Sequence, residues 1–127
     1  MKRDMDLIRK LLLVVENSDA LRLEASSIER EDPTAVGYHF ELLHDAGFLL
    51  PRTSVGETST VMHAATGEVM LVKPQLSWNG CEFLDKVRDD TVWKHVKSKV
   101  SVFSSVSISI ISAVATDYIK SKLGLGA

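Results

Sequence analysis

Apolar positions near the start of the chain recur at helical spacing. Met5, Ile8, Leu12 and Val15 form one stripe, with Leu7, Leu11 and Val14 as a second beside it, which predicts a helix from Asp4 to Glu16. Apolar surface on more than one face means that this helix meets more than one partner element. Residues 18–32 read as a loop with a short extended piece at Leu21–Leu23 or Ser27–Ile28. Asp32-Pro33 then supplies an N-cap followed by proline at the first helical position. The helix it opens is expected to run to Ala46, with Gly47 as its stop.

From Phe48 onward the period changes. Phe48-Leu49-Leu50, Thr60-Val61-Met62 and Val69-Met70-Leu71-Val72 are short β-type runs, with turn signals at Val55-Gly56-Glu57 and Ala65-Thr66-Gly67 and a closing Pro74. They predict a small β-hairpin or three-strand meander. Ser77 caps the next helix, with Trp78, Cys81, Leu84 and Val87 on one face, and Asp90 caps a following turn that holds Trp93 and Val96. At this spacing and in apolar company, Trp78 and Trp93 read as core residues rather than as a platform for stacked bases.

The last segment can be read two ways. Val106-Ser107-Ile108-Ser109-Ile110 alternates as a strand would. Projected on a helix, Ser101, Ser104, Ser105, Ser109 and Ser112 gather on one side and Phe103, Val106, Ile110, Val114 and Tyr118 on the other, with Ser107 misplaced. Lys120, Lys122 and Gly124 make a C-terminal signature. The projection predicts an amphipathic helix over residues 102–123, whose β-branched residues and serines give it poor intrinsic propensity, so that packing must hold it. The uncharged run from Val100 to Thr116 is 17 residues long with six serines. A membrane span needs about 20 predominantly apolar residues, so the run is too short and too polar for one. At the other end, Asp4, Asp6, Arg9 and Lys10 break up any signal-peptide core.

Helix, extended piece, helix, hairpin and C-terminal helices is the order of a winged-helix domain, in which the helix before the hairpin is the recognition helix and the hairpin the wing. The expected class is therefore α+β: a small winged-helix-like domain over residues 1–99, with an added C-terminal amphipathic helix over 100–127 that packs on the domain or on a partner chain. Three stretches carry a resemblance: Met1–Arg9 (MKRDMDLIR), Gly37–Leu49 (GYHFELLHDAGFL) and Leu76–Trp93 (LSWNGCEFLDKVRDDTVW). They resemble the family catalogued as domain of unknown function 2513, which implies a winged-helix-like fold and a prophage or bacterial-genome setting. Asn79 and Cys81 stand where that resemblance leads one to expect Glu and His. It implies no activity and no site residues.

Composition sharpens the picture in two places. The chain has 127 residues and a formal net charge of −2, so no global positive field marks a nucleic-acid partner. Residues 1–50 hold six Lys/Arg against ten Asp/Glu, net −4, and residues 77–127 hold seven against five, net +2. A single cysteine, Cys81, cannot form an internal disulfide and fits a reducing compartment, which points to the cytoplasm. On the apolar face of its helix it is expected to be a buried, inert thiol.

The outward face of the second helix is the main candidate site. It carries Thr34, Tyr38, Glu41 and Asp45, with Leu42 at its margin. An amphipathic aromatic beside a leucine, ringed by carboxylates, suits a protein interface; the alternative is that Tyr38 and Leu42 pack under the N-terminal loop. The same carboxylates would repel phosphates, which disfavours DNA. The cations left for that reading are Lys2, Arg3, Arg9, Lys10, Arg52 and Lys73.

His39 and His44 are five apart and so lie about 140° apart on a helix, unable to share a metal; His63 and His95 lie on separate elements. All four are expected at the surface or the edge of the core, with no metal and no cofactor. Glu82 with Lys86 and Asp85 with Arg88 read as helix-surface pairs. There is no glycine-rich phosphate loop, no nucleophile elbow and no paired catalytic carboxylates, so no enzyme is expected. Ser101, Ser105, Ser109 and Ala113 place a small residue at every fourth position, which permits close approach of helices and suggests a homo-oligomer. Capping of the first helix within one chain is the alternative. Membrane association ranks last, because the polar face is serine rather than Lys or Arg. The functional expectation is recognition of another protein with self-association, then DNA-binding regulation, then membrane association.

Overall fold

A computed structural model describes residues 1–50 and 60–125. The described residues form five α-helices and a three-stranded antiparallel sheet, an α+β protein. The chain divides into two compact units, residues 1–81 and 82–127.

In the first unit, α1 (Met5–Asn17) begins where expected, with Asp4 as N-cap accepting the Leu7 N–H. Its two predicted stripes merge into one broad face: Leu7, Ile8, Leu11, Leu12 and Val15 are buried. The chain then forms β1 (Arg22–Glu24) and a single 3₁₀ turn over Ala25–Ser27. Helix α2 (Pro33–Asp45) has Asp32 as its N-cap and proline in its first turn, and buries Val36, Gly37, His39, Phe40 and Leu43. A Cβ at Gly37 would stand 3.1 Å from the Val69 side chain, so a side chain there would crowd the sheet. Gly47, at φ 74°, ends the helix in the left-handed region.

The hairpin strands are β2 (Val61–His63) and β3 (Val69–Val72), joined through the expected turn at Ala65-Thr66-Gly67. The sheet order is β1-β3-β2, with Leu71 opposite both Leu23 and Val61. The third strand is therefore β1, not the Phe48–Leu50 run. That run makes one bridge, Leu49 with Leu76, because Leu50 and Ser77 bond back to Gln75 and Phe48 beside it. The expected turn at Val55-Gly56-Glu57 lies outside the described residues.

Helix α3 (Trp78–Val87) spans the division between the units. The face predicted for it is rotated. Gly80, Phe83, Leu84 and Val87 are buried, whereas Trp78 is 79% exposed and Cys81 is exposed. The reason lies at Gly80: a Cβ there would collide with the Phe48 carbonyl, so the helix packs through its glycine and turns Trp78 and Cys81 outward.

In the second unit, α4 (Asp90–Val100) is capped by Asp89, one residue before the expected Asp90, and buries Val92, Trp93 and Val96. Helix α5 (Ile108–Lys122) begins six residues later than the predicted 102. Serine explains the shift, since its hydroxyl competes for backbone groups and favours caps over helix interiors. Ser101 is the C-cap of α4 with its hydroxyl on the Ser98 carbonyl, and Ser107 is the N-cap of α5, accepting the Ile110 N–H. Phe103 is 66% exposed in the intervening turn, and α5 buries Ile111 and Ala115 rather than Ile110. Helices α4 and α5 pack together, with the His95 ring stacked on Tyr118 at 4.2 Å. Among the described residues, no helix is long and apolar enough to cross a membrane.

Candidate functional site

The second helix sets the geometry of the site. Its 3.6-residue period sends Val36, Phe40 and Leu43 into the core and leaves Tyr38, Glu41, Leu42 and Asp45 outside. His39 faces inward and is almost fully buried, deeper than the core edge expected of it. Its Nδ1–H donates to the Ala35 carbonyl at 2.7 Å, and its Nε2 accepts the Asp4 N–H at 2.8 Å. Both ring nitrogens are thereby used, and the N-cap of α1 is tied to the middle of α2.

Beside the outer flank of α2 lies strand β2. Val61 stands opposite Leu71 and His63 opposite Val69, so both share the sheet face that carries Leu71. Tyr38, Glu41, Leu42 and Asp45, with His44, Val61 and His63, line a groove of about 480 Å³ between helix and strand. His63 Nε2–H donates to Glu41 Oε1 at 3.0 Å across the opening. The half-buried part of its lining is largely apolar, from Tyr38, Leu42 and Val61, and the exposed part carries the carboxylates of Glu41 and Asp45 with His63.

Residues 2–107 of the chain match the protein family described as "Hypothetical protein (DUF2513)". The chain belongs to the DUF2513 family. A protein of Haemophilus influenzae strain KW20 / Rd, described as "Uncharacterized protein", is 34% identical over 126 residues, which cover 97% of this chain and 99% of the relative. The family match stops at the N-cap of α5, whereas the match to that relative takes in α5 as well. No solved structure matches.

In this DUF2513 protein, four of the five residues predicted for the interface converge on the groove. Thr34 does not. It lies with Ser26, Gly37 and Glu68 at a separate depression of about 440 Å³. The sequence reading missed His44, Val61 and His63. A period-2 reading puts Val61 and His63 on one face of a strand, yet only the pairing with β3 shows which face that is.

The cations proposed for phosphate contacts do not line the groove. Lys2 and Arg3 are exposed ahead of α1, and Lys73 is exposed after β3 at φ 45°. Lys10 Nζ donates to the Glu29 carbonyl at 2.8 Å and lies 3.6 Å from Glu31 Oε2. Arg9 is half-buried on α1, and Arg52 lies outside the described residues. The small-residue stripe does not form a single helix face either. Ser101 and Ser105 precede α5, which leaves Ser109 and Ala113 on its exposed side. Among the described residues, no three His, Cys, Asp or Glu side chains come together in a way that could hold a metal ion.

Proposed function

We propose that this DUF2513 protein is a non-catalytic, cytoplasmic recognition protein of winged-helix topology. Its α2–β2 groove takes an apolar side chain flanked by cations on a partner protein. The topology is supported by the element order α1-β1-α2-β2-β3 and by the sheet order β1-β3-β2, which set one helix directly before the hairpin.

One observation carries the reading: the groove has a half-buried apolar lining of Tyr38, Leu42 and Val61 and exposed carboxylates on Glu41 and Asp45. Its size falls within the range of small binding clefts, and apolar centre with polar rim is the general anatomy of an interface. A phosphate backbone entering the same groove would meet two carboxylates, so duplex DNA fits poorly there.

The test is to pan a random displayed-peptide library against the immobilised full chain. Enriched peptides are expected to pair a large aliphatic or aromatic residue with Lys or Arg. Their affinity should fall about tenfold for Leu42→Ala, the size of loss a contact at the centre of an interface gives. The loss for Glu41→Lys should follow the number of cations in the peptide. Failure to enrich any such peptide, or binding indifferent to both substitutions, removes the support for this groove.

A further inference from the structure

Helices α2 and α5 end in the same hydrogen-bonded motif, with opposite results. At α2, the N–H groups of Gly47 and Phe48 donate to the carbonyls of His44 and Leu43, both at 3.0 Å. Leu43 and Phe48, the two positions such a helix end brings together, are both buried. At α5, Gly124 turns the chain at φ 75°, its N–H donates to Ser121 at 3.2 Å, and the Leu125 N–H donates to Lys120 at 2.8 Å. The position that should meet Leu125 is here Lys120. Leu123 and Leu125 consequently remain 66% and 71% exposed, held in place beside Lys120 and Lys122.

This is an apolar anchor flanked by cations, the chemistry that suits the groove of α2 and β2 with its apolar lining and exposed carboxylates. Charge runs the same way along the chain, from net −4 over residues 1–50 to net +2 over residues 77–127. We infer that the occupant of the α2–β2 groove is the Lys120–Leu125 segment of a second copy of this chain. The inference rests on the groove reading above and supplies its partner.

Sedimentation equilibrium of the full chain from about 5 to about 500 µM tests it, in the range where an interface of this kind would first associate. The expected result is self-association that weakens as salt screens the contact. Glu41→Lys with Asp45→Lys, and separately Lys120→Glu with Lys122→Glu, should each weaken association at least about tenfold. Mixing the two charge-reversed proteins should restore a complex that neither forms alone, because each then offers the other a matched groove and tail. Leu123→Ser with Leu125→Ser, at exposed positions where folding is not at stake, should weaken association without changing its salt dependence. A chain that stays monomeric throughout, association untouched by the charge reversals, or a mixture that remains monomeric would overturn the inference. If library peptides still bind a monomeric chain through Leu42, the groove reading stands and only its assigned occupant falls.

Discussion

At the scale of single residues, His39 links two helices through a particular tautomer. Its Nδ1 must carry the proton to donate to Ala35, which leaves Nε2 as the acceptor for the Asp4 N–H. Leucine has a comparable volume but can make neither bond. His39→Leu should therefore cost about 1–3 kcal/mol, the range for stranding a partly buried donor, and a urea titration followed by circular dichroism measures it. Gly80 is constrained by sterics instead. The Phe48 carbonyl accepts the Ser77 N–H at 2.9 Å and occupies the place where a Cβ on Gly80 would fall. Both partners are backbone and cannot rotate away as a side chain could. Gly80→Ala should thus cost about 3 kcal/mol, the upper end of overpacking penalties, seen as a lowered thermal midpoint. An unchanged midpoint would mean that α3 enters the unit by a different path.

Between elements, Glu68 joins the turn end of the hairpin to the 3₁₀ turn after β1. Hydrogen bonds from the Ser26 side chain, and then from its backbone N–H at 2.8 Å, hold the Glu68 carboxyl below its ordinary value. A lowered value in the folded state means that the ionised form is favoured there. The contribution is fully present above the unfolded value of the carboxyl and is lost as pH falls through the lowered folded value. The native protein should melt above Glu68→Gln at neutral pH, and the two melting curves should converge in acid. A gap that persists at low pH would place the effect elsewhere than in the carboxylate.

The starts of α1 and α2 and the end of α2 were legible in the sequence for the same local reason. Asp4, Asp32 and Gly47 act on backbone groups within three residues, so no distant contact is needed to place them. Of the features that were not legible, two depend on what lies across the fold and one on local capping that competes with the helical period. The choice of Arg22–Glu24 over Ser27–Ile28 as the extended piece is fixed by pairing with Met70–Val72, the face of α3 by Phe48, and the start of α5 by two serines that cap instead of continuing a helix. The candidate site divides likewise. Tyr38, Glu41, Leu42 and Asp45 follow from helical period alone, whereas Val61 and His63 join them only through the register of β2 on β3.

For the molecule as a whole, charge distribution separates the two leading readings of the proposed winged-helix topology. A duplex-binding protein gathers cations on the helix that precedes the hairpin, and its affinity falls with salt by about 0.9 logarithmic units per neutralised phosphate. Here that helix presents Glu41 and Asp45, and Lys10 is held by Glu29 and Glu31. Fluorescence anisotropy with a labelled duplex, titrated from about 50 to about 200 mM salt, is expected to show no binding tighter than about 10⁻⁴ M, the weak end of non-specific association. Any residual signal should have a shallow salt slope, since Lys2 and Arg3 come from one segment, Lys73 comes from another, and none of them lines the groove. A slope as steep as about −4 would require four or five phosphates to be neutralised together. That many contacts could arise only if these three cations and others of the chain converge on one surface of the bound molecule, and the DNA reading would then displace the protein interface.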